Sequence, residues 1–455
     1  MKRSFAFAGK TRLKSFSSHE IPGPLSRCVN PIDEIMAALA ADEIAAAADV
    51  LQRHSHLLAS SDREACASRV RFLAKVRSAP MVDLLIEHGL NLRDVSEGWA
   101  PGFWLDEIPS TVAERLVERG ATLTPHAAAG LGLVAHLGAM LDEHPEFVHA
   151  KGGDGCQPLH FARNVQIAQL LLDHGASIDA RDDDHDSTAA QWRIGTAPDV
   201  TRFLLQHGAT PDIFMAAGLN DMDLARKLVA DQPACATYRI GTNSGPFPGI
   251  NFQKRGGTIY QWMLGFNQSP QEIARARGFG EMFEFLMEHT PPRAKFLIAC
   301  MLADRPLAED LARADPALVT ELGEEDRALL AKSCWETNLN IEAVRLMLDL
   351  GFPVSAPEFN HGYTPLHNAA WAGDPRLVEL LLQCGHPVSL RDPTYHSTPL
   401  GFAIHSCIEA RRHPEGDFPA VVRLLLDAGT PIDAKMYPTG HDGIDAILRT
   451  KIAGA

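Results

Sequence analysis

His361–Arg391 reads HGYTPLHNAAWAGDPRLVELLLQCGHPVSLR, and each punctuating residue in it has a physical meaning. Thr364 is a good N-cap, its hydroxyl placed to accept an orphan amide, and Pro365 falls at the first helical position, where a missing N–H costs nothing. Leu366, Ala369 and Ala370 predict a short helix with a small-residue face that lets a neighbour approach closely. Gly373 breaks that helix. Leu377, Val378, Leu380, Leu381 and Leu382 recur at helical spacing on a second one, and Gly385 ends it as a left-handed cap. Turn, helix, second helix and return loop are thus set out in about thirty residues.

The rest of the chain reads as clearer or more worn copies of this unit. The second-best copy is Asp154 to Ala180, with Gly155, Pro158, Leu159, His160, Ala162, Leu170, Leu171, Leu172 and Gly175. Gln157 replaces the capping Thr there. Pro158 to Leu172 spans 14 residues against 17 from Pro365 to Leu382, which predicts a shorter turn between the helices. Gly89 and Gly120 are 31 residues apart, and Gly208 follows Gly175 by 33. The unit after the best copy has Thr398 34 residues after Thr364. Its extra residues are expected between its helices, near Ala410 to Phe418. Pro31 to Ala59 is expected to be an N-terminal helical pair, and Gly443 to Ile452 a capping helix. The period fails only in 234–266, ACATYRIGTNSGPFPGINFQKRGGTIYQWMLGF, which is rich in Gly, Pro and aromatics and reads as an insertion crossing the surface.

The pattern resembles the ankyrin repeat, whose signature is G-x-T-P-L-H-x-A-A-x-x-G followed by V-x-x-L-L-x-x-G. Gly362, Thr364, Pro365, Leu366, His367, Ala369, Ala370, Gly373, Leu381, Leu382 and Gly385 carry the resemblance. It implies an all-α solenoid of ankyrin-type helix-turn-helix repeats with short hairpin loops, about twelve units in this chain. The expected organisation is a basic tail over 1–30, worn repeats over 31–233, the insertion over 234–266, and clearer repeats with the capping helix over 267–455. The resemblance also implies a non-enzymatic protein-binding scaffold or adaptor that uses hairpin tips and a concave helix face.

Bulk composition sets bounds on the partner. The formal charge of −15 argues against broad binding to a phosphate backbone and favours a basic or neutral protein. Eight scattered cysteines, with no C-x-x-C pair, read as reduced thiols in the cytoplasm. No apolar run reaches the roughly 18 residues of a membrane span. The first residues carry Lys2, Arg3, Lys10, Arg12 and Lys14 without a secretory apolar core, so a basic tail is expected, with an organellar transit peptide as the second reading. A monomer without nucleic acid, membrane, metal or cofactor is expected.

Several residues invite chemistry and are weighed against plainer roles. His160 and His367 stand in identical contexts; the resemblance implies a structural ring bonding between adjacent turns. Asp182-Asp183-Asp184-His185-Asp186 has the composition of a cation site, but its place in a loop between units predicts a solvated acidic tip. Gly130-Leu131-Gly132-Leu133-Val134-Ala135 matches the dinucleotide fingerprint without the strand that must precede it. No nucleophile elbow, phosphate loop or zinc-protease motif is present.

The remaining candidates are surfaces. By register with the ankyrin pattern, Asn360, His361 and Tyr363 fall on the hairpin tip, Trp371 on the concave helix, and Tyr395, His396 and His405 at comparable positions in the next unit. An exposed Trp and two Tyr along one groove suit a binding hot spot. The insertion adds Tyr238, Phe247, Phe252, Tyr260 and Trp262 with Lys254 and Arg255. One alternative is a small-molecule receptor or enzyme with its pocket between the insertion and the repeats, Tyr260 or Trp262 lying beside a group such as His289. Another is a stoichiometric inhibitor of a partner enzyme.

Overall fold

The computed structural model describes residues 31–58, 72–240, 259–265, 268–335, 339–358, 361–410, 415–432 and 436–453. The basic tail, Phe247, Phe252, Lys254, Arg255 and Asn360 lie outside them. The described residues are mostly helical and contain no strand; an isolated bridge pairs Arg181 with Thr188.

Residues 361–391 fold as their pattern dictates. The first helix runs Pro365–Ala372 and stops at Gly373, whose φ of 69° is open to glycine at little cost. The Asp374 carboxylate then accepts the N–H groups of Arg376 and Leu377 and starts the second helix, Pro375–Gln383. Leu377, Val378, Leu380 and Leu381 are its buried residues.

Similar pairs make up two compact units. The described part of one holds 31–58, 72–219 and 259–264. It includes Pro31–Ala41 with Ile44–Arg53, Pro125–Leu131 with Val134–Glu143, and Ala189–Arg193 with Pro198–Gln206. In the other, Pro270–Ala276 pairs with Gly280–Glu288, Pro292–Met301 with Arg305–Ala314, and Glu324–Ser333 with Ile341–Asp349. Pro399–His405 and Phe418–Asp427 form its last repeat, followed by Asp442–Ala453. The described ends of the 234–266 segment belong to different units, 234–240 to the second and 259–264 to the first.

In the copy at 158–172 the shortening falls elsewhere than the sequence spacing suggests. The first helix is a single 3-10 turn, Pro158–Phe161, and Asn164 caps the second helix at Val165–Asp173. The missing residues come from the helix, and the turn is kept.

Three hairpins share one construction. In Asp182–Ser187 the Asp182 Oδ1 accepts the N–H groups of Asp184 and His185, while Oδ2 accepts Ser187 N–H and the Trp192 indole. Asp392 does the same for Thr394, Tyr395 and Ser397, and Glu358 accepts the His361 N–H. The fifth position is left-handed each time: Asp186 (φ 52°), His396 (φ 53°) and Gly362 (φ 73°). Of the solvated acidic tip expected at 182–186, Asp183 and Asp184 are exposed, while Asp182 and His185 are buried. Asp182 is 3% exposed because its oxygens take amides that would otherwise be orphaned.

His160 and His367 tie each hairpin to the helix before it. Nε2–H donates to the carbonyl of Ser187 in one case and Ser397 in the other, both at 3.2 Å. Nδ1 then accepts, from Gln157 N–H at 3.1 Å and from the Thr364 hydroxyl at 2.7 Å. The Thr364 hydroxyl thus meets the ring as well as the helix amide that the sequence suggested, in a capping box with His367.

Leu381 is fully buried in the second unit's core, so Leu381→Ala should cost roughly 2–5 kcal/mol. Thermal unfolding followed by circular dichroism should show a lowered midpoint; an unchanged one would put Leu381 outside the core.

Burial lowers the pKa of His126, His160 and His367, and that of His386 to about 4. A base with a depressed folded pKa stabilises fully above its unfolded value near 6.5 and loses that contribution as pH falls. Between pH 7 and 5 His386 alone should forfeit roughly 2 kcal/mol. Denaturant titrations at the two pH values should show the loss, and His386→Gln should reduce it; equal losses in both proteins would refute the assignment.

Candidate functional site

The hairpin register decides which predicted surface residues reach solvent. The fourth position holds His361 in one hairpin and Tyr395 in the next; His361 is exposed and Tyr395 is 70% exposed. The sixth position turns inward after the left-handed residue. Tyr363 occupies it, its carbonyl accepting Glu358 N–H, and is 8% exposed. This corrects the expectation that Tyr363 is presented at the tip.

Buried aromatic rings join the tip to the helices. His361 stacks on Tyr363 at 5.2 Å, and Tyr363 meets Phe402 edge-on at 5.0 Å. His367 and Trp371 also pack on Phe402, at 4.9 and 6.1 Å. Trp371 reaches His405 at 5.9 Å. Trp371 and His405 occupy the same place on successive first helices, each seven residues after its Thr. Trp371 is half-buried, a correction to its expected exposure, while His396 and His405 are exposed. The Trp371 indole N–H is buried and has no acceptor among the described residues.

Phe402, the centre of this ladder, was not foreseen. Its register four residues after Thr398, where the preceding repeat has Asn368 after Thr364, is the sequence signal that marks it.

Side-chain electrostatics sharpen the tip. A hydrogen bond to Glu358 raises the pKa of His361 despite opposing burial, the two groups lying 3.2 Å apart. Arg391 donates to the His396 carbonyl at 2.6 Å. With the Asp392 carboxylate occupied by turn amides, this tip is polar but poor in free negative charge.

The insertion residues are placed differently from their sequence reading. Tyr260 is fully buried in the first unit, where its hydroxyl donates to Asp212 Oδ2 at 2.6 Å and its ring lies 5.5 Å from Phe214. Asp212 also accepts the N–H groups of Phe214 and Met215. Burial raises the pKa of Asp212, and burial together with Asp212 raises that of Tyr260. Ile259 N–H donates to Ser187 Oγ at 3.1 Å. Tyr260 is therefore a core residue, and the expectation of an exposed or pocket-lining ring is corrected. Trp262 is half-buried, and so is Tyr238, whose oxygen accepts from Gln232 at 2.6 Å. His289, named for the alternative pocket, belongs to the second unit, where its Nδ1 approaches Phe285 O at 2.8 Å.

The dinucleotide-like glycines also resolve locally. Gly130 lies in the helix Pro125–Leu131, and Gly132 is that helix's left-handed cap. A helix precedes the motif where the nucleotide fold requires a strand.

Comparison with known proteins agrees with this geometry. Residues 154–183 match the family described as "Ankyrin repeat", and residues 340–382 the family described as "Ankyrin repeats (many copies)". No curated protein matches the chain. Among solved structures, the crystal structure of the human ASB11 ankyrin repeat domain is 18% identical, covering 69% of this chain and 100% of that chain at a TM-score of 0.23. The assignment rests on the two matched stretches and the helix pairs that repeat around them. Ankyrin repeats are in general protein–protein interaction modules. No helix among the described residues is long and apolar enough to cross a membrane. With signature residues that cap and turn the helices in and beside the two matched stretches, the chain contains ankyrin repeats.

Proposed function

We propose that this protein is a scaffold or adaptor that binds a partner protein across the 361–405 face of its second unit. The observation that carries the reading is the aromatic ladder from His361 through Tyr363, Phe402 and Trp371 to His405. Its inner rings are fixed by packing, so the groups offered at its edge are already ordered, which reduces the entropy lost on association. Tyr395 supplies exposed aromatic area, and His361, His396 and His405 supply polar contacts. Aromatic anchors of this kind carry a large share of binding energy in protein interfaces.

Affinity capture with the intact chain and with a Tyr395→Ala, His405→Ala chain tests the proposal. Both side chains are exposed, so the variant should unfold at the wild-type temperature. It should lose its partner's affinity by roughly tenfold or more. A third bait, Trp371→Phe, trims the half-buried ring that supports these side chains, and should weaken binding by a smaller factor. Equal recovery of the same partner by all three baits would refute this face as the binding surface.

A further inference from the structure

Two hairpins of the first unit meet around one imidazole. The backbone carbonyl of Asp154 in the first accepts the N–H groups of Asp183 and Asp184 in the second, at 2.9 and 3.2 Å. The side chain of His185 stands at this junction and is 6% exposed. Its Nδ1 lies 3.4 Å from Asp182 Oδ1 and its Nε2 3.9 Å from Asp184 Oδ2. A carboxylate oxygen of Asp154 is within 4.8 Å of a ring nitrogen, and Trp192 meets the ring edge-on at 5.4 Å. Three carboxylates, from both hairpins, therefore surround a single enclosed base.

The other ionisable groups packed here are engaged elsewhere or neutral. Lys151 pairs with Asp183 at 2.7 Å, Arg181 donates to the Asp186 carbonyl, and Arg193 on the following helix pairs with Asp106 at 2.6 Å. His160 on the preceding helix holds the Ser187 carbonyl, and burial pushes its pKa down and that of the Cys156 thiol up. Segment 259–264 reaches the hairpin through Ile259 N–H on Ser187 Oγ, and its Tyr260 hydroxyl is taken by Asp212. The Asp186 carboxylate adds a further acid on the same hairpin. Burial opposes charge on His185, but the Asp182 carboxylate outweighs it, helped by the charges of Asp154 and Asp184, and the pKa of the ring is raised.

We propose that the His185 imidazolium is a pH-sensitive clip between the two hairpins, holding the 182–187 turn against Asp154 while it is charged and loosening it on deprotonation. Losing the proton leaves Asp154, Asp182 and Asp184 facing one another with the shared cation gone, and like charges in a partly buried site repel strongly. A base whose folded pKa is raised contributes stability that is complete below its unfolded value, near 6.5, and is lost as pH rises through the folded pKa. The sign is opposite to that of His386, whose contribution is lost on acidification. Alkaline pH thus acts locally on the first unit's hairpins, and acid on a core histidine of the second.

Two measurements on the full-length chain test the clip: an NMR titration of histidine-labelled protein, the His185 signal being the one missing from His185→Gln, and hydrogen exchange of the 182–187 amides at pH 6 and pH 8.5, corrected for intrinsic rates. The ring should titrate above 6.5. The Asp183 and Asp184 amides should be less protected at pH 8.5, by up to roughly tenfold for each unit by which the ring's pKa is raised. His185→Gln should abolish the pH dependence of protection. Asp184→Asn removes an exposed carboxylate, which leaves the fold intact, and should lower the ring's titration point and shrink the pH effect. A ring that titrates at or below 6.5, protection that does not change with pH, or an undiminished change in Asp184→Asn would overturn the proposal.

Discussion

A tight turn packed between helix pairs leaves amide groups that water does not reach, and the fold depends on a buried carboxylate to receive them. Asp182 and Asp392 each accept the N–H groups of three residues ahead of them, and Glu358 takes that of His361. Once these donors are satisfied, the sixth residue of each turn has its carbonyl aimed back along the chain. There it meets the hairpin's opening N–H, and at Ser187 and Ser397 also the imidazole of the preceding repeat. The carboxylate and the imidazole together convert a helix pair, which cannot bury its own apolar face, into a unit with a fixed neighbour. Net stabilisation per hydrogen bond is modest, about 1 kcal/mol, but leaving one of these buried groups unmade costs more.

This arrangement explains why residues of one position have opposite fates. His185, Tyr395 and His361 all stand fourth in their hairpins, yet His185 is enclosed and the other two are exposed. His185 meets Trp192 of the following helix edge-on at 5.4 Å and faces the Asp182 carboxylate at 3.4 Å. A single turn geometry therefore serves as a covered polar cluster in the first unit and as an open aromatic edge in the second.

The best copy was legible because its signals are local. Thr364, Pro365, Gly373 and Gly385 each act within a few residues, and the helices start and stop where those residues direct. Features set by distant partners were not legible. Tyr260 reads as an exposed aromatic because Asp212, 48 residues earlier, is invisible in its surroundings. Tyr363 reads as a tip residue because its inward turn depends on the left-handed Gly362, where an added Cβ would lie 2.6 Å from Pro393. Asp182 looks like one of four equivalent acids until the turn amides single it out. Of the candidate surface, His361, Tyr395, His396 and His405 kept the exposure that register implied; Phe402 could be found only by comparing two repeats position by position.

The chain leaves the first unit at Leu219 and returns to it with Ile259 to Leu264, after the second unit has begun at Asn220. Synthesis proceeds from the N-terminus, so Asp212 leaves the ribosome well before Tyr260, the residue that receives it in the core. Domains ordinarily fold as they emerge, but this one is complete only after part of the next has been made. The two units are therefore interlaced in time as well as in sequence, and no single cut in the backbone yields either one whole.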